Sequence, residues 1–271
     1  GIVNNSWGAD YTYTYADVDK DDKVLNLATS SDIPTLDLSK ATGLTSGDDL
    51  KFTSGTGNLQ NKLKSTLETI KFPKGPTGIP ASCLKSFTSL SNVIIPSGYK
   101  TIGSEAFRNC TSLNIINIPE GVETIGSWAF SQARIQSIRL PKSLITIEDD
   151  AFDDCSKLAS ITIPENVITI GNHAFLRCSN IRDVYVLGTT TIPELRKNAF
   201  DEQTYGKDAK GGTTREDYWV EGNHYAVLHY YTQYRSGFRK DYDKEDSYSY
   251  TSTENNKILN KYPTQDESKA L

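Results

Sequence analysis

The sequence contains no long apolar run and no excess of basic charge. Aliphatic stretches such as Val93 to Ile95 are only a few residues long, whereas a helix needs about 20 apolar residues to cross a bilayer. The 29 Lys and Arg residues are outnumbered by 34 Asp and Glu residues, which gives a formal net charge of -5. Because nucleic acid and anionic lipid are bound through basic patches, we predict no membrane span and no nucleic-acid partner.

Histidine is scarce, and the ligand spacings typical of metal sites are missing. The three histidines, His173, His224 and His229, lie far from any recognisable nucleophile pattern. The four cysteines form no C-x-x-C pair. The acidic run from Asp17 to Asp22 lacks the glycine and the final glutamate of a calcium loop. Since catalysis requires convergent groups with tuned pKa values, the sequence predicts no catalytic residues, no metal site, no cofactor and no enzymatic activity.

What the sequence does contain is a repeat. Prolines recur every 22 or 23 residues, at Pro73, Pro96, Pro119, Pro141 and Pro164. A phenylalanine column keeps the same step, at Phe107, Phe130, Phe152 and Phe175. The aligned units give the consensus LxxIxIPxxxxxIGxxAFxxCxx. A period of roughly 20 to 29 residues with this pattern is typical of leucine-rich repeats.

Each unit predicts one strand, a second extended or turn segment, and one short turn of helix. Within LxxIxIP, aliphatic residues alternate with polar ones, which is the period of a strand with one buried face. The proline has no N–H for the ladder and ends the strand. We expect the later glycine to relieve a positive backbone angle, and SxxAFxxC to form a short helical turn with phenylalanine pointing inward. One unit cannot bury these columns alone, so neighbouring coils must stack.

The predicted fold class is a β-rich α/β repeat solenoid, a stack of leucine-rich repeat coils of about 23 residues with irregular N- and C-terminal caps. We predict three regions. Residues 1–64 form an N-terminal capping region with a candidate degenerate repeat, 65–200 form the repeats, and 201–271 form a loop followed by a C-terminal strand and cap.

The flanks give weaker signals than the repeats. A degenerate coil is expected around Leu36 and Leu38, and the segment YTYTY from Tyr11 alternates like an edge strand. The segment YAVLHYY, which begins at Tyr225, predicts a last strand. The tyrosine-rich tail that follows suits either an end cap or a contact surface for protein or sugar, because tyrosine offers both an apolar ring and a hydroxyl.

The repeat columns resemble the BspA-like branch of leucine-rich repeats, in which LxxIxIP is followed by IGxxAFxxC. The match covers about residues 67 to 200. The resemblance implies a secreted or surface-exposed bacterial protein whose solenoid attaches to host matrix proteins or to other cells. The chain starts at Gly1 and contains no methionine. We therefore expect an extracellular or cell-surface protein from which the signal peptide or lipid anchor was removed.

The cysteines follow the repeat register. Cys110, Cys155 and Cys178 all stand three residues after the phenylalanine, and Cys83 takes the alanine slot. This register predicts small core residues with free, buried thiols. Stacked coils would bring Cys155 and Cys178 to about 5 Å, so distance alone does not exclude a disulfide between them.

The strands also predict the candidate binding surface. If the consensus leucine and isoleucines point inward, the third and fifth residues of each strand point outward and form two lanes, with about 5 Å between neighbouring coils. The fifth-position lane contains Lys71, Ile94, Asn117, Arg139, Thr162 and Tyr185. The third-position lane contains Thr69, Asn92, Ile115, Ser137, Ser160 and Asp183. From these lanes the predicted ligand-binding residues are Lys71, Asn117, Arg139, Thr162 and Tyr185.

We predict a non-enzymatic adhesion module that recognises an extracellular matrix or cell-surface protein through the strand face. Turn residues such as Arg108 and Asp153 are expected to be ordinary surface positions. Two alternatives remain open from the sequence: a glycan-binding accessory lipoprotein, whose tyrosine-rich tail or concave face stacks on sugar rings, and a structural spacer. A hydrolase is the remote alternative.

Overall fold

The computed structural model describes residues 34–40, 63–181 and 183–187, together with the backbones of five short strands outside these ranges. In chain order the strands are β1 (Tyr11–Thr12), β2 (Val18–Asp19), β3 (Val24–Leu25), β4 (Thr35–Asp37), β5 (Thr69–Lys71), β6 (Gly78–Ile79), β7 (Asn92–Ile94), β8 (Thr101–Ile102), β9 (Ile115–Asn117), β10 (Thr124–Ile125), β11 (Ser137–Arg139), β12 (Thr146–Ile147), β13 (Ser160–Ile163), β14 (Thr169–Ile170), β15 (Asp183–Val186), β16 (Glu194–Leu195) and β17 (Val227–His229).

The LxxIxIP segments form parallel strands on one side of a solenoid, which confirms the predicted β-rich repeat fold. Hydrogen-bonded ladders join β1, β4, β5 and β7, then β9 and β11, then β13, β15 and β17. Inward aliphatic residues stack in register, with Ile70 opposite Val93 and Ile116 opposite Ile138. Each proline of the column comes one or two residues after its strand. The missing N–H therefore falls where the chain leaves the sheet.

A second parallel sheet lies on another side of the coils. Its six two-residue strands follow the order β16, β14, β12, β10, β8, β6. Ile102, Ile125 and Ile147 stand opposite one another in this sheet and are buried. Each complete coil therefore contributes one strand to each sheet and buries the aliphatic residues of both between them.

Phenylalanine fills the centre of the coils. Phe107, Phe130, Phe152 and Phe175 are each at most 1% exposed. Their rings stack face to face, with centroids 5.3, 5.2 and 5.0 Å apart along the column. Leu84 is also fully buried, as expected of a residue that takes the phenylalanine slot of the first clear coil. The inward direction predicted for this column is confirmed.

The flanking strands extend the first sheet. β4 pairs in parallel with β5, so that Leu36 lies opposite Ile70, and β1 pairs in parallel with β4. At the other end β17 pairs in parallel with β15. β2 and β3 form a short antiparallel pair. The predicted loop at 201–224 and the tyrosine-rich tail lie outside the described residues, and the three-region division stays a prediction.

The turn side differs from the predicted helical turn. Two residues in each of five coils, four positions apart, have a positive φ of 56 to 64° and are not glycine, as in the pair Glu105 and Asn109. Alternate N–H groups bond within the coil and to the next coil: Ala106 donates to Gly103 O, whereas Phe107 donates to Ala129 O. In an α-helix, the N–H groups after the first turn would all donate to carbonyls four residues earlier in the same segment. The segment therefore forms consecutive turns that are bonded to the next coil.

The reason predicted for the consensus glycine is also wrong. Among the residues that the structure describes, the glycines with a positive φ are Gly75, Gly98 and Gly121, and none of these three is in the consensus slot. A Cβ on Gly103 would lie 2.5 Å from Ile79 O, and one on Gly171 would lie 2.5 Å from Asp149 N. Glycine is needed there because the backbone of the preceding coil passes too close for a side chain.

The left-handed turn residues lead to a stability prediction. Gln132 is exposed and has a φ of 62°, a conformation that costs an L residue roughly 1–2 kcal/mol. Gln132→Gly should therefore leave stability unchanged or raise it by up to about 1 kcal/mol, because glycine does not pay this cost. The control is Arg134→Gly, at an exposed residue without a positive φ in the same coil. It should lower stability, and urea denaturation distinguishes the two; equal losses would contradict the explanation.

Candidate functional site: the strand face

The five predicted binding residues lie along one lane of the first sheet. The strand register places Arg139 opposite Asn117 and Thr162 opposite Tyr185. Asn117 and Arg139 are exposed, whereas Lys71, Thr162 and Tyr185 are half-buried. The sheet thus brings these side chains into a row on one surface, as the alternation predicts. Their role in binding stays a prediction.

Lys71 is already paired within the lane. Its Nζ lies 3.0 Å from Asp37 Oδ2, and Asp37 stands opposite Lys71 in the register of β4 and β5. Burial alone would raise the pKa of the Asp37 carboxyl, but hydrogen bonds from Ser39 and Lys71 outweigh burial and lower it. The positive charge of Lys71 is therefore compensated by a neighbouring carboxylate. Sequence reasoning missed Asp37, although aligning Leu36 with Ile70 would have placed it in this lane.

Arg139 differs from Lys71. It is exposed on β11, and no ion pair found among residues 34–40, 63–181 and 183–187 includes it. Its neighbour across the ladder is the amide Asn117. The guanidinium is therefore an uncompensated cation on the described strand face, and its planar fork suits a carboxylate from outside.

Two isoleucines on neighbouring strands are exposed on the same face. Ile94 on β7 is 45% exposed and Ile115 on β9 is 61% exposed. The 23-residue step places Ile115 beside Asn92, and Ile94 beside Asn117, so the isoleucines are diagonal neighbours. Isoleucine also favours strands through its branched Cβ, but exposed apolar side chains that adjoin one another are typical of contact surfaces. Sequence reasoning placed both isoleucines in the lanes but not among the predicted site residues.

The turn side contains internal contacts, and one prediction about it is wrong. Asp153, expected at the surface, is fully buried. Its Oδ2 accepts a hydrogen bond from Arg177 Nη2 at 2.5 Å, and its Oδ1 accepts one from Arg177 Nε at 3.1 Å. Burial raises the pKa of the Asp153 carboxyl, while the hydrogen bonds from Arg177 oppose this shift. The side chain lies inside because its partner comes from the next coil, 24 residues later.

The other turn residues considered from the sequence also have partners. Arg108 NH1 lies 2.7 Å from Glu105 Oε2, and its guanidinium lies 4.8 Å from the centroid of the Trp128 ring. His173 Nδ1 lies 3.7 Å from Asp150 Oδ1 and its side chain is 30% exposed. Arg108 is therefore a poor control for a binding experiment, because its removal disturbs neighbouring contacts.

All four cysteines are buried free thiols, as the register predicts. The thiols of Cys155 and Cys178 each donate to a phenylalanine carbonyl of the preceding coil, Phe130 O and Phe152 O, at 3.1 Å. Burial raises the pKa of the Cys110 thiol to about 12. The cysteine column therefore packs in the core and donates hydrogen bonds to the backbone of the preceding coil. Because thiols with a raised pKa stay protonated at neutral pH, they are poor nucleophiles.

The described part of the chain contains no group of three His, Cys, Asp or Glu side chains arranged to hold a metal ion. Within the same residues, no helix has the length and the apolar composition that crossing a membrane takes. His224 lies outside the described residues, and so does the side chain of His229.

The similarity of this chain to known proteins lies in its repeat region. The family model for the BspA type leucine rich repeat region, with six copies, matches residues 77–206. Comparison with curated protein sequences gave no match. Among solved structures, a leucine-rich repeat protein from Bacteroides ovatus is 22% identical, with a TM-score of 0.45, over 56% of this chain and 40% of that one.

Two further solved structures are similar. A leucine rich repeat protein from T. pallidum is 22% identical, with a TM-score of 0.48, over 66% of this chain and 79% of that one. A leucine rich cell surface protein from Faecalibacterium prausnitzii is 27% identical, with a TM-score of 0.40, over 57% of this chain and 46% of that one. This chain thus spans less than half of the B. ovatus and F. prausnitzii proteins. Residues 77–206 of this chain therefore belong to the BspA-type leucine-rich repeat family.

Proposed function

We propose that this chain is a non-enzymatic adhesion module that binds a protein of the extracellular matrix or of another cell's surface through the strand face. The observation that carries the proposal is that Ile94, Ile115 and Arg139 are all exposed on the neighbouring strands β7, β9 and β11, on one side of the solenoid. Exposed aliphatic groups beside an arginine and amides match the composition of protein interfaces. A location at the bacterial surface is proposed with it, since one similar structure is named a cell surface protein.

The same face is poorly suited to sugar rings. Glycans are commonly held by aromatic platforms, and among the described side chains of the two lanes Tyr185 alone is aromatic. Tyr185 is half-buried and lies on β15, three strands beyond β9. A protein partner is therefore favoured over a glycan for the middle of the sheet. A structural spacer that binds no partner has no need of exposed isoleucines, and Ile94 and Ile115 are 45% and 61% exposed.

The test uses immobilised extracellular matrix proteins and a glycan array with the whole chain. Arg139→Ala should weaken binding of the captured protein by about 2 kcal/mol, which is typical of an arginine at the centre of an interface. The matched control is Arg134→Ala, which removes an exposed arginine from the turn before the same strand. It should bind like wild type, and both variants should keep the wild-type melting temperature.

The outcomes separate the candidates. Equal binding by Arg139→Ala, Tyr185→Ala and wild type would place the contact elsewhere and contradict the proposal. Binding to glycans alone would favour the accessory lipoprotein. Binding to neither class would favour the structural spacer.

A further inference from the structure

The strand face has a distinct central patch, which we call the isoleucine–arginine patch. It consists of Asn92 and Ile94 on β7, Ile115 and Asn117 on β9, and Arg139 on β11. All five side chains are exposed. The neighbouring lane positions are Thr69, Ser137, Ser160 and Thr162, which are small and polar, and Lys71, which is paired with Asp37. The patch is therefore the part of the described strand face where exposed isoleucines lie near an arginine that takes part in none of the ion pairs found there.

Charge distinguishes the patch from the rest of the lane. At the N-terminal side Lys71 is neutralised by Asp37 at 3.0 Å, and both side chains are partly buried. Arg139 takes part in none of the ion pairs found among the described residues. Its nearest lane neighbours, Asn117 and Thr162, are uncharged. The net charge of the patch is therefore positive, which is complementary to a carboxylate.

The distance between the isoleucines and Arg139 places a second requirement on a binding partner. Ile94, Asn117 and Arg139 occupy the same lane on three successive strands, so the isoleucine and the arginine are separated by two strand spacings, about 10 Å. Ile115 lies diagonally between them and extends the apolar area towards Arg139. The two asparagines flank the isoleucines with amide groups that can donate to and accept from a partner's backbone. No aromatic side chain belongs to the patch.

We propose that the patch recognises a protein segment that presents one aliphatic side chain and one carboxylate about 10 Å apart, the aliphatic group on Ile94 and Ile115 and the carboxylate on Arg139. This inference rests on the proposed function and names the chemistry of its partner. It also narrows the predicted site, because Lys71 is not one of the contact residues and the two isoleucines are.

The probe is an array of short synthetic peptides that contain one leucine and one aspartate at varied separation, each beside the same peptide with asparagine in place of aspartate. The whole chain should bind the best aspartate peptides on the order of tenfold more tightly than their asparagine counterparts, because a charge-assisted contact replaces a neutral one. Arg139→Gln should reduce this ratio to about one. Arg134→Gln should leave it unchanged.

The isoleucines are tested by Ile94→Thr and Ile115→Thr. Threonine keeps the branched Cβ, and the chain itself has Thr162 and Thr69 at the equivalent lane positions. The melting temperature should therefore stay unchanged, while affinity for all leucine peptides falls and the aspartate preference remains. Three results would overturn the inference. The aspartate-to-asparagine affinity ratio could be near one in wild type, Arg139→Gln could leave that ratio unchanged, or no peptide could bind at all. If Arg139→Ala still abolished binding of the whole protein partner, the proposed function would stand and only the partner's chemistry would be wrong.

Discussion

Phe152→Ala should lower the free energy of unfolding by about 3 to 5 kcal/mol, because it removes a fully buried ring and leaves a cavity that the coils cannot close. Phe152 is stacked on both sides, with centroids 5.2 Å from Phe130 and 5.0 Å from Phe175. Both neighbours are held by their own coils, so neither can move in to fill the space. Urea denaturation followed by circular dichroism measures the loss.

The control for this prediction is Phe152→Leu. Leu84 fills the equivalent slot in another coil and is fully buried there, so the fold already accommodates leucine at this position. The expected loss is roughly 1.5 kcal/mol or less, since most of the apolar volume is kept. Similar losses for the alanine and leucine variants would show that the size of the cavity does not determine the effect.

Arg177→Ala should cost about 3 kcal/mol at neutral pH, because it leaves the buried carboxylate of Asp153 without its cation. The Asp153 side chain is 1% exposed, whereas that of Arg177 is 44% exposed. Removing the half-exposed Arg177 side chain therefore loses little buried surface. Most of the destabilisation comes from the unpaired carboxylate of Asp153. Replacing Asp153 as well, in the double variant Asp153→Ser with Arg177→Ala, should recover most of the loss. Ser131 is buried at the equivalent position one coil earlier.

The pH dependence provides an independent check on Arg177→Ala. Burial raises the pKa of Asp153 in the folded protein, and without Arg177 only the hydrogen bond from Ser131 still opposes this shift. A carboxyl with a raised folded pKa holds its proton more tightly in the folded than in the unfolded state, so its penalty is small at low pH and grows as the pH rises. The deficit of Arg177→Ala relative to wild type should therefore shrink between pH 7 and pH 4. A constant deficit would mean that the loss comes from packing.

The strand side of this fold could be predicted from the sequence, because period-2 alternation and the proline column repeat together in five successive coils. The turn side could not, for two physical reasons. Its backbone uses left-handed residues such as Glu105 and Trp128, which carry no sequence signature, since many residue types occupy the slot. Its hydrogen bonds also go to the next coil, as from Phe107 N to Ala129 O, so the conformation is set by packing rather than by local propensity.

The candidate site was predicted in position but not in detail. Alternation alone placed Asn117 and Arg139 side by side on the outer face, and the register confirms that placement. The pairing of Lys71 with Asp37 joins residues 34 positions apart across the irregular first coil, so no regular spacing reveals it. How far the isoleucines project also depends on the size of their neighbours across the sheet.

The step from Pro119 to Pro141 is 22 residues instead of 23, and the missing residue falls between Phe130 and Ile135, on the turn side. β11 still pairs in register with β9, with Arg139 opposite Asn117. The loss of one residue on the turn side of this coil thus leaves the strand side undisturbed. Gain or loss of a whole coil would lengthen or shorten each lane by one residue, about 5 Å. The strand face can therefore change in length by gene duplication and in chemistry by point mutation, with neither change altering the core.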